Sequence, residues 1–145
     1  MNARKASLRL VLLFPVLLAG CSTLMIDSLE QLRDTNKKAI ATLSIGTPRA
    51  QVEKLMGEAR AGGKLGDVVF GRVRHLEVKN PQKEERITGP DGAAYDVLFY
   101  YTDIKKRDDK ITDDELTPLV FRGHELAGIG YPFLAKLAPK YSGLQ

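Results

Sequence analysis

Apolar residues Leu29, Leu32, Ala39, Ile40 and Leu43 recur at three- and four-residue spacing with polar residues between them, the period of one face of a helix. With Asp27 or Ser28 as cap, this pattern predicts a helix over roughly residues 28–43. Ser44-Ile45-Gly46 breaks it. Thr47-Pro48 then offers a cap and a first-turn proline, and Ala50, Val52, Leu55 and Met56 offer an apolar face, so a short second helix is expected before Gly57. Gly57 suits the positive-φ stop that ends many helices. Ala61-Gly62-Gly63, with Gly66 beyond, reads as a loop.

The pattern then changes character. Val68, Val69, Phe70, Val73, Leu76 and Val78 form an imperfect alternation typical of a strand, with Gly71 as a candidate bulge. Asn80 to Gly92, with Pro81, Pro90 and Asp91-Gly92, is expected to be a long exposed connection. Tyr95, Val97, Phe99 and Tyr101 alternate with Asp96, Leu98, Tyr100 and Thr102, the clearest strand in the chain. Leu119 to Phe121 and Leu126 to Tyr131 read as a pair joined by a tight turn at Arg122-Gly123-His124-Glu125. After Pro132 the pattern assigns nothing. Helices first and strands last predict an α+β fold, two N-terminal helices packed on one face of a three- to four-stranded antiparallel sheet.

The first twenty residues do not belong to this pattern. Basic residues lie between Asn2 and Lys5, an apolar run from Leu10 to Leu18, and the small pair Ala19-Gly20 before Cys21, the layout of a secretory signal. The apolar run is short of the roughly 20 residues that span a bilayer as a helix. Leu18-Ala19-Gly20-Cys21 resembles the lipobox of bacterial lipoproteins. That resemblance implies cleavage before Cys21 and acylation of its thiol and new amine, and several acyl chains make a durable anchor. The predicted organisation is a signal peptide at 1–20, a short lipid-anchored linker at 21–27 and a single domain at 28–145. By the sorting rule of enterobacterial lipoproteins, Ser22 in place of aspartate implies the periplasmic face of the outer membrane.

Charge and cysteine content change the picture only slightly. The chain has 22 basic and 18 acidic residues; Arg4, Lys5 and Arg9 lie in the leader, leaving 19 against 18 and a net charge of +1. Such a balanced domain lacks the basic footprint of nucleic-acid binding. Cys21 is the single cysteine, so no internal disulfide can form. Hydrophobic residues at 43% and charged residues at 28% describe an ordinary globular domain.

Ile45-Gly46-Thr47-Pro48, leading to Val52, Leu55, Met56 and Gly57 and followed by an antiparallel sheet, resembles the SmpA/OmlA (BamE-like) outer-membrane lipoproteins over about residues 40 to 131. Met56-Gly57-Glu58-Ala59 stands where that family carries a Leu-Gly-x-Pro turn. The resemblance implies an accessory role in outer-membrane assembly or integrity, exercised on an envelope protein partner.

Candidate chemistry is sparse. Asp108 to Glu115 places Ile111 and Glu115 as in a calcium-binding EF-hand loop, but Ile104 and Lys106 then occupy ligand positions and Asp109 the turn glycine. A solvated acidic loop with Thr112 or Asp113 capping a turn is the expected reading. His75 and His124 have no second ligand at metal-binding spacing. The mature serines lie in no nucleophile elbow or SxxK pattern, and Gly62-Gly63-Lys64-Leu65-Gly66 lacks phosphate-loop spacing. No catalytic residue, metal or cofactor is therefore assigned. Tyr95, Phe99 and Tyr101 are expected in the core, and Tyr100 and Tyr131 as possible partner contacts. The leading expectation is a non-catalytic, lipid-anchored binding factor of the cell envelope. Its rivals are a periplasmic inhibitor or ligand-binding module, and a small enzyme assembled from Asp109, Asp114, Glu115 and His124.

Overall fold

The computed structural model describes residues 25–26, 29–65, 74–106 and 110–144. The leader, Cys21, the expected strand positions Val68 to Val73 and the acidic residues Asp108 and Asp109 lie outside the described residues.

The first helix, α1, runs Leu29–Ala41, with Glu30 in its first turn and Lys38 in its last, charges that complement the helix dipole. The second, α2, runs Arg49–Met56. Pro48 rather than Thr47 holds the cap position, without a side-chain cap bond. Thr47 is engaged elsewhere: its hydroxyl donates to the Ser44 carbonyl at 2.6 Å and its own carbonyl accepts from Leu126 N–H at 2.9 Å. Gly57 ends α2 at φ 65° and ψ 168°, a conformation open essentially to glycine.

Two sheets follow instead of one. The smaller has the order β1 (Met25–Ile26), β2 (Arg60–Leu65) and β3 (Arg74–Lys79). β1 pairs parallel to β2, and β2 antiparallel to β3. The glycine-rich segment expected as a loop is thus strand β2. Gly62 and Gly63 sit opposite Glu77 and Leu76, so partner hydrogen bonds override their weak strand propensity. The larger sheet is a meander of β4 (Lys83–Thr88), β5 (Ala94–Tyr101), β6 (Leu116–Arg122) and β7 (Glu125–Ile129). Strand β4 corrects the expected long connection, since Lys-Glu-Glu-Arg-Ile-Thr carries one large apolar residue, Ile87, and is a strand because β5 pairs with it. Only Gly89 to Ala93 remains as its turn, closed by Gly89 N–H to Ala93 O at 2.9 Å.

The expected tight turn joins β6 and β7, with Gly123 at φ 60°. The tail is ordered as α3 (Tyr131–Leu137) and a 3-10 turn at Pro139–Tyr141.

Strand β5 is buried on both sides, which corrects the expectation that helices cover one face. On one face Tyr95, Val97, Phe99 and Tyr101 join Val120, Tyr131, Leu134 and Tyr141. On the other Leu98 and Tyr100 join Val52, Met56, Leu119, Phe121 and Leu126. α3 therefore covers the first face and α2 the second. α1 serves both, its Leu29 and Leu32 packing in the first cluster with Ala61 and Val78 of the smaller sheet, its Ala39 and Ile40 in the second. The architecture is α+β, with a helix before and a helix after the strands enclosing the larger sheet.

Candidate functional site: a groove between α2 and the edge strand β4

The second face is not closed across its full width. Val52 and Met56 of α2 are buried over β5, β6 and β7, but Glu84 and Arg86 of β4, which share that face through their partners Leu98 and Asp96, are exposed. The result is a groove of about 850 Å³ whose walls include Glu53, Glu58, Arg60, Lys79 and Glu84 and whose floor includes Leu98 and Tyr100. A shallower depression of about 390 Å³, lined by Arg49, Arg86 and Asp96, continues it and shares Glu84 and Leu98.

The groove has a rigid back wall. Asn36 of α1, wholly buried, and Asn80, 6% exposed, exchange amide hydrogen bonds at 3.0 and 2.7 Å. Asn36 also donates to Tyr101 O at 2.8 Å, and Asn80 to Met56 O at 3.1 Å. The Asn80 backbone N–H reaches Ala59 O at 2.8 Å. One amide pair thus joins α1, the end of α2, the β3–β4 link and the end of β5, with every bond in a water-excluded setting where leaving it unmade costs more than making it returns. Asn80 is followed by a cis peptide bond to Pro81. The helix pattern had a visible trace of this pair: Asn36 fills the gap in the stripe Leu29, Leu32, Ala39, Leu43.

The far wall is ionic. Arg49 Nε donates to Glu53 at 2.7 Å and Nη1 to Asp96 at 3.0 Å, while its guanidinium lies 5.6 Å from the Phe121 ring centre. Arg86 makes a forked pair with Asp96 at 2.7 and 3.2 Å. The hydrogen bond from Arg86, opposed by burial and aided by the charge of Arg49, holds the Asp96 carboxyl below its ordinary value. Glu53 does the corresponding service for Arg49, raising its pKa against burial. Glu58 and Glu84, by contrast, make no ion pair among the described residues.

Tyr100 is the groove's unusual member. It is 1% exposed, yet its hydroxyl has no hydrogen-bond partner among the described residues. No described polar side-chain atom is both sealed from solvent and unpartnered, so this hydroxyl opens to the groove it lines. Burial raises its pKa, the charges of Glu53 and Glu84 raise it further, and Arg49 opposes them.

Tyr100 is therefore not a surface contact of the kind expected from sequence, because its ring is core and only its oxygen meets the groove. Tyr131, the other expected contact, is 5% exposed on the opposite face, where its hydroxyl donates to the Asp113 carbonyl. Neither ring lies on the surface for one reason: β5 is covered on two sides, and Tyr131 opens a helix that alternation does not reveal.

The acidic loop keeps the expected turn cap at Thr112 but not the expected solvation of Glu115. Glu115, 2% exposed, accepts from the backbone of Lys105, Lys106 and Thr112 at 2.9, 3.2 and 3.1 Å. It is a structural carboxylate that ties the backbone of Lys105, Lys106 and Thr112 to the start of β6, with Thr112 at the cap of the 3-10 turn Asp113–Glu115. Glu115 and His124 flank opposite ends of the seven-residue β6, roughly 20 Å apart at strand rise, so the enzyme constellation that used both is not assembled. His124 lies exposed in the β6–β7 turn, where its carbonyl accepts from Arg49 N–H at 2.7 Å. His75 lies within β3. Among the described residues no three His, Cys, Asp or Glu side chains gather as metal ligands, and no helix is long and apolar enough to cross a membrane.

A family model described as "Protein of unknown function (DUF3192)" matches residues 25–134. No curated protein and no solved structure matches the chain.

Proposed function

We propose that this chain, which belongs to the DUF3192 family of unknown function, is a non-catalytic, lipid-anchored binding factor on the periplasmic face of the outer membrane, acting on an envelope protein in assembly or integrity of that membrane. The observation that carries this reading is the short tether. Met25 already pairs with Arg60 of β2, and Arg60 with Lys79 of β3. Three residues lie between Cys21 and Met25, four chain steps with a reach of at most about 14 Å. Arg60 and Lys79 line the groove, so lipid on Cys21 would hold the groove's mouth close to the bilayer surface and raise its effective concentration toward a membrane-bound partner.

The likeness of Ile45 to Gly57 to the BamE-like lipoproteins supports an assembly partner. The groove's charged walls and apolar floor support a binding role. Fractionation of cells carrying the native chain and Cys21→Ser, with radiolabelled palmitate, tests the reading. The native chain should be labelled and sediment with outer membranes, and the variant should be unlabelled and released. An unlabelled native chain free of membranes would falsify the anchor and with it the proposed role. Crosslinking in intact cells then identifies the partner.

A further inference from the structure

Two edges bound the larger sheet, and they are treated differently. The β7 edge is covered by the α1–α2 connection, through Gly46 N–H to Leu126 O at 2.8 Å, Leu126 N–H to Thr47 O at 2.9 Å and a bridge of Pro48 with Glu125. β4 pairs with β5 on one side and with no described strand on the other. An open edge is a template for an added extended segment.

The groove beside that edge is built to hold a positive charge. Glu84 projects from β4 without an ion-pair partner among the described residues, Glu53 faces it from α2, and the Tyr100 hydroxyl lies below with an unused oxygen. Among the groove's charged lining residues, Glu53, Glu58 and Glu84 outnumber Arg60 and Lys79. The Leu98 side chain supplies an apolar floor suited to the methylene stem of a long basic side chain. The groove also contains two cations. Arg60 lies 3.8 Å from Glu77 and Lys79 stands opposite Arg60 on the same rung, both toward the tethered end, where they repel a second positive charge and fix where a cation can sit. Arg49 and Arg86 are occupied by Glu53 and Asp96.

We infer that this groove receives a lysine or arginine side chain presented by an extended segment of a partner polypeptide, with Glu84, Glu53 and the Tyr100 oxygen as its acceptors. The inference rests on the proposed binding role and specifies the partner's chemistry. A free amine is too small an occupant, because the groove of about 850 Å³ continues into the second depression along β4, the shape of an extended chain.

The test uses the purified full chain in nonionic detergent and three pools of fluorescent, end-blocked nonapeptides. Their flanks are randomised among Ser, Thr, Val and Asn, and their centres are Lys, norleucine or Glu. The Lys pool should bind at least about tenfold more tightly than the norleucine pool, and the Glu pool most weakly, the range expected for a charge-assisted hydrogen bond. Glu84→Gln and Tyr100→Phe should each weaken the Lys pool about five- to tenfold and leave the norleucine pool unchanged; melting curves verify that each variant folds, and either variant suffices. Equal binding of Lys and norleucine pools, absence of binding by all three, or competition by n-butylammonium as strong as that of the Lys pool would overturn the inference. A chain that sediments with membranes and is palmitoylated yet ignores the Lys pool loses this inference and keeps the proposed role; a chain that binds the Lys pool without being lipidated does the reverse.

Discussion

The two faces of the larger sheet are made by the same strands and finished in opposite ways. On the α3 face, Phe99, Tyr131 and Tyr141 pack with ring centres 5.9 to 6.5 Å apart, and their polar tips are consumed. Tyr131 donates to the Asp113 carbonyl and Tyr141 to Glu85, which Lys140 also reaches. Lys83 bonds Asp113 at 3.1 Å and lies 4.5 Å from the Phe99 ring centre. On the α2 face the eight-residue helix leaves a groove beside β4, and the Tyr100 hydroxyl finds no partner among the described residues. The hydroxyls of Tyr131 and Tyr141 tie α3 and the tail to the sheet, whereas that of Tyr100 lines a groove.

The largest break of that contrast should come from the sealed face. Leu134→Ala, at a fully buried position, is expected to cost about 2–5 kcal/mol in urea unfolding. Leu55→Ala on the outward side of α2, where the side chain is 48% exposed, should change stability by less than about 0.5 kcal/mol. Gly128→Ala comes next. A Cβ there would lie 2.1 Å from ring carbons of Phe133, so α3 must shift off the sheet, at about 1–3 kcal/mol, with faster hydrogen exchange in α3 than in α2.

The two tyrosine hydroxyls sharpen the comparison further. Tyr141→Phe removes a hydrogen bond to a carboxylate and should cost about 1 kcal/mol. Tyr100→Phe removes no internal bond and should fall within about 0.5 kcal/mol of the native chain in the same urea titration. A large loss at Tyr100 would show that its oxygen is part of the fold rather than of the groove.

The smallest expected effect is a pH ordering. Burial would raise the Glu85 pKa, but hydrogen bonds from Lys140 and Tyr141 outweigh it and hold it below the ordinary 4.5. A depressed carboxylate contributes stability above its unfolded value and loses it as pH falls toward its folded value. Asp96, which ties α2 to β5 through Arg49, is likewise depressed, from 3.8. On acidification, hydrogen exchange should therefore quicken first in α3, from about pH 4.5 downward, and only at lower pH in α2. Simultaneous onset would remove the distinction between the two ionic clasps.

Much of this was legible along the chain. The stripe from Leu29 to Leu43, the Pro48 entry and Gly57 exit of α2, and the alternation through Tyr101 depend on local periodicity and backbone preference. Each was read to within a residue or two of its true bounds. Strand β2 and strand β4 were not legible, because Arg-Ala-Gly-Gly-Lys-Leu and Lys-Glu-Glu-Arg-Ile-Thr have no strand pattern of their own and are extended only through β3 and β5. The same holds for the groove. Glu84 and Tyr100 are ordinary residues until register sets Glu84 across from Leu98 and α2 leaves the space above them open.

What the amino-acid order determined by itself was the short-range part: where α1 and α2 begin and stop, which positions alternate, where Cys21 stands relative to the apolar leader, and the near-neutral charge of the rest. Which face a residue looks onto, which hydroxyl is consumed and which is spare, and which sheet edge is covered were decided by contacts between segments 20 to 60 residues apart, such as Asn36 with Asn80 and Glu85 with Tyr141. Periodicity reports the angle of a side chain about its own segment. Only packing determines what stands opposite it.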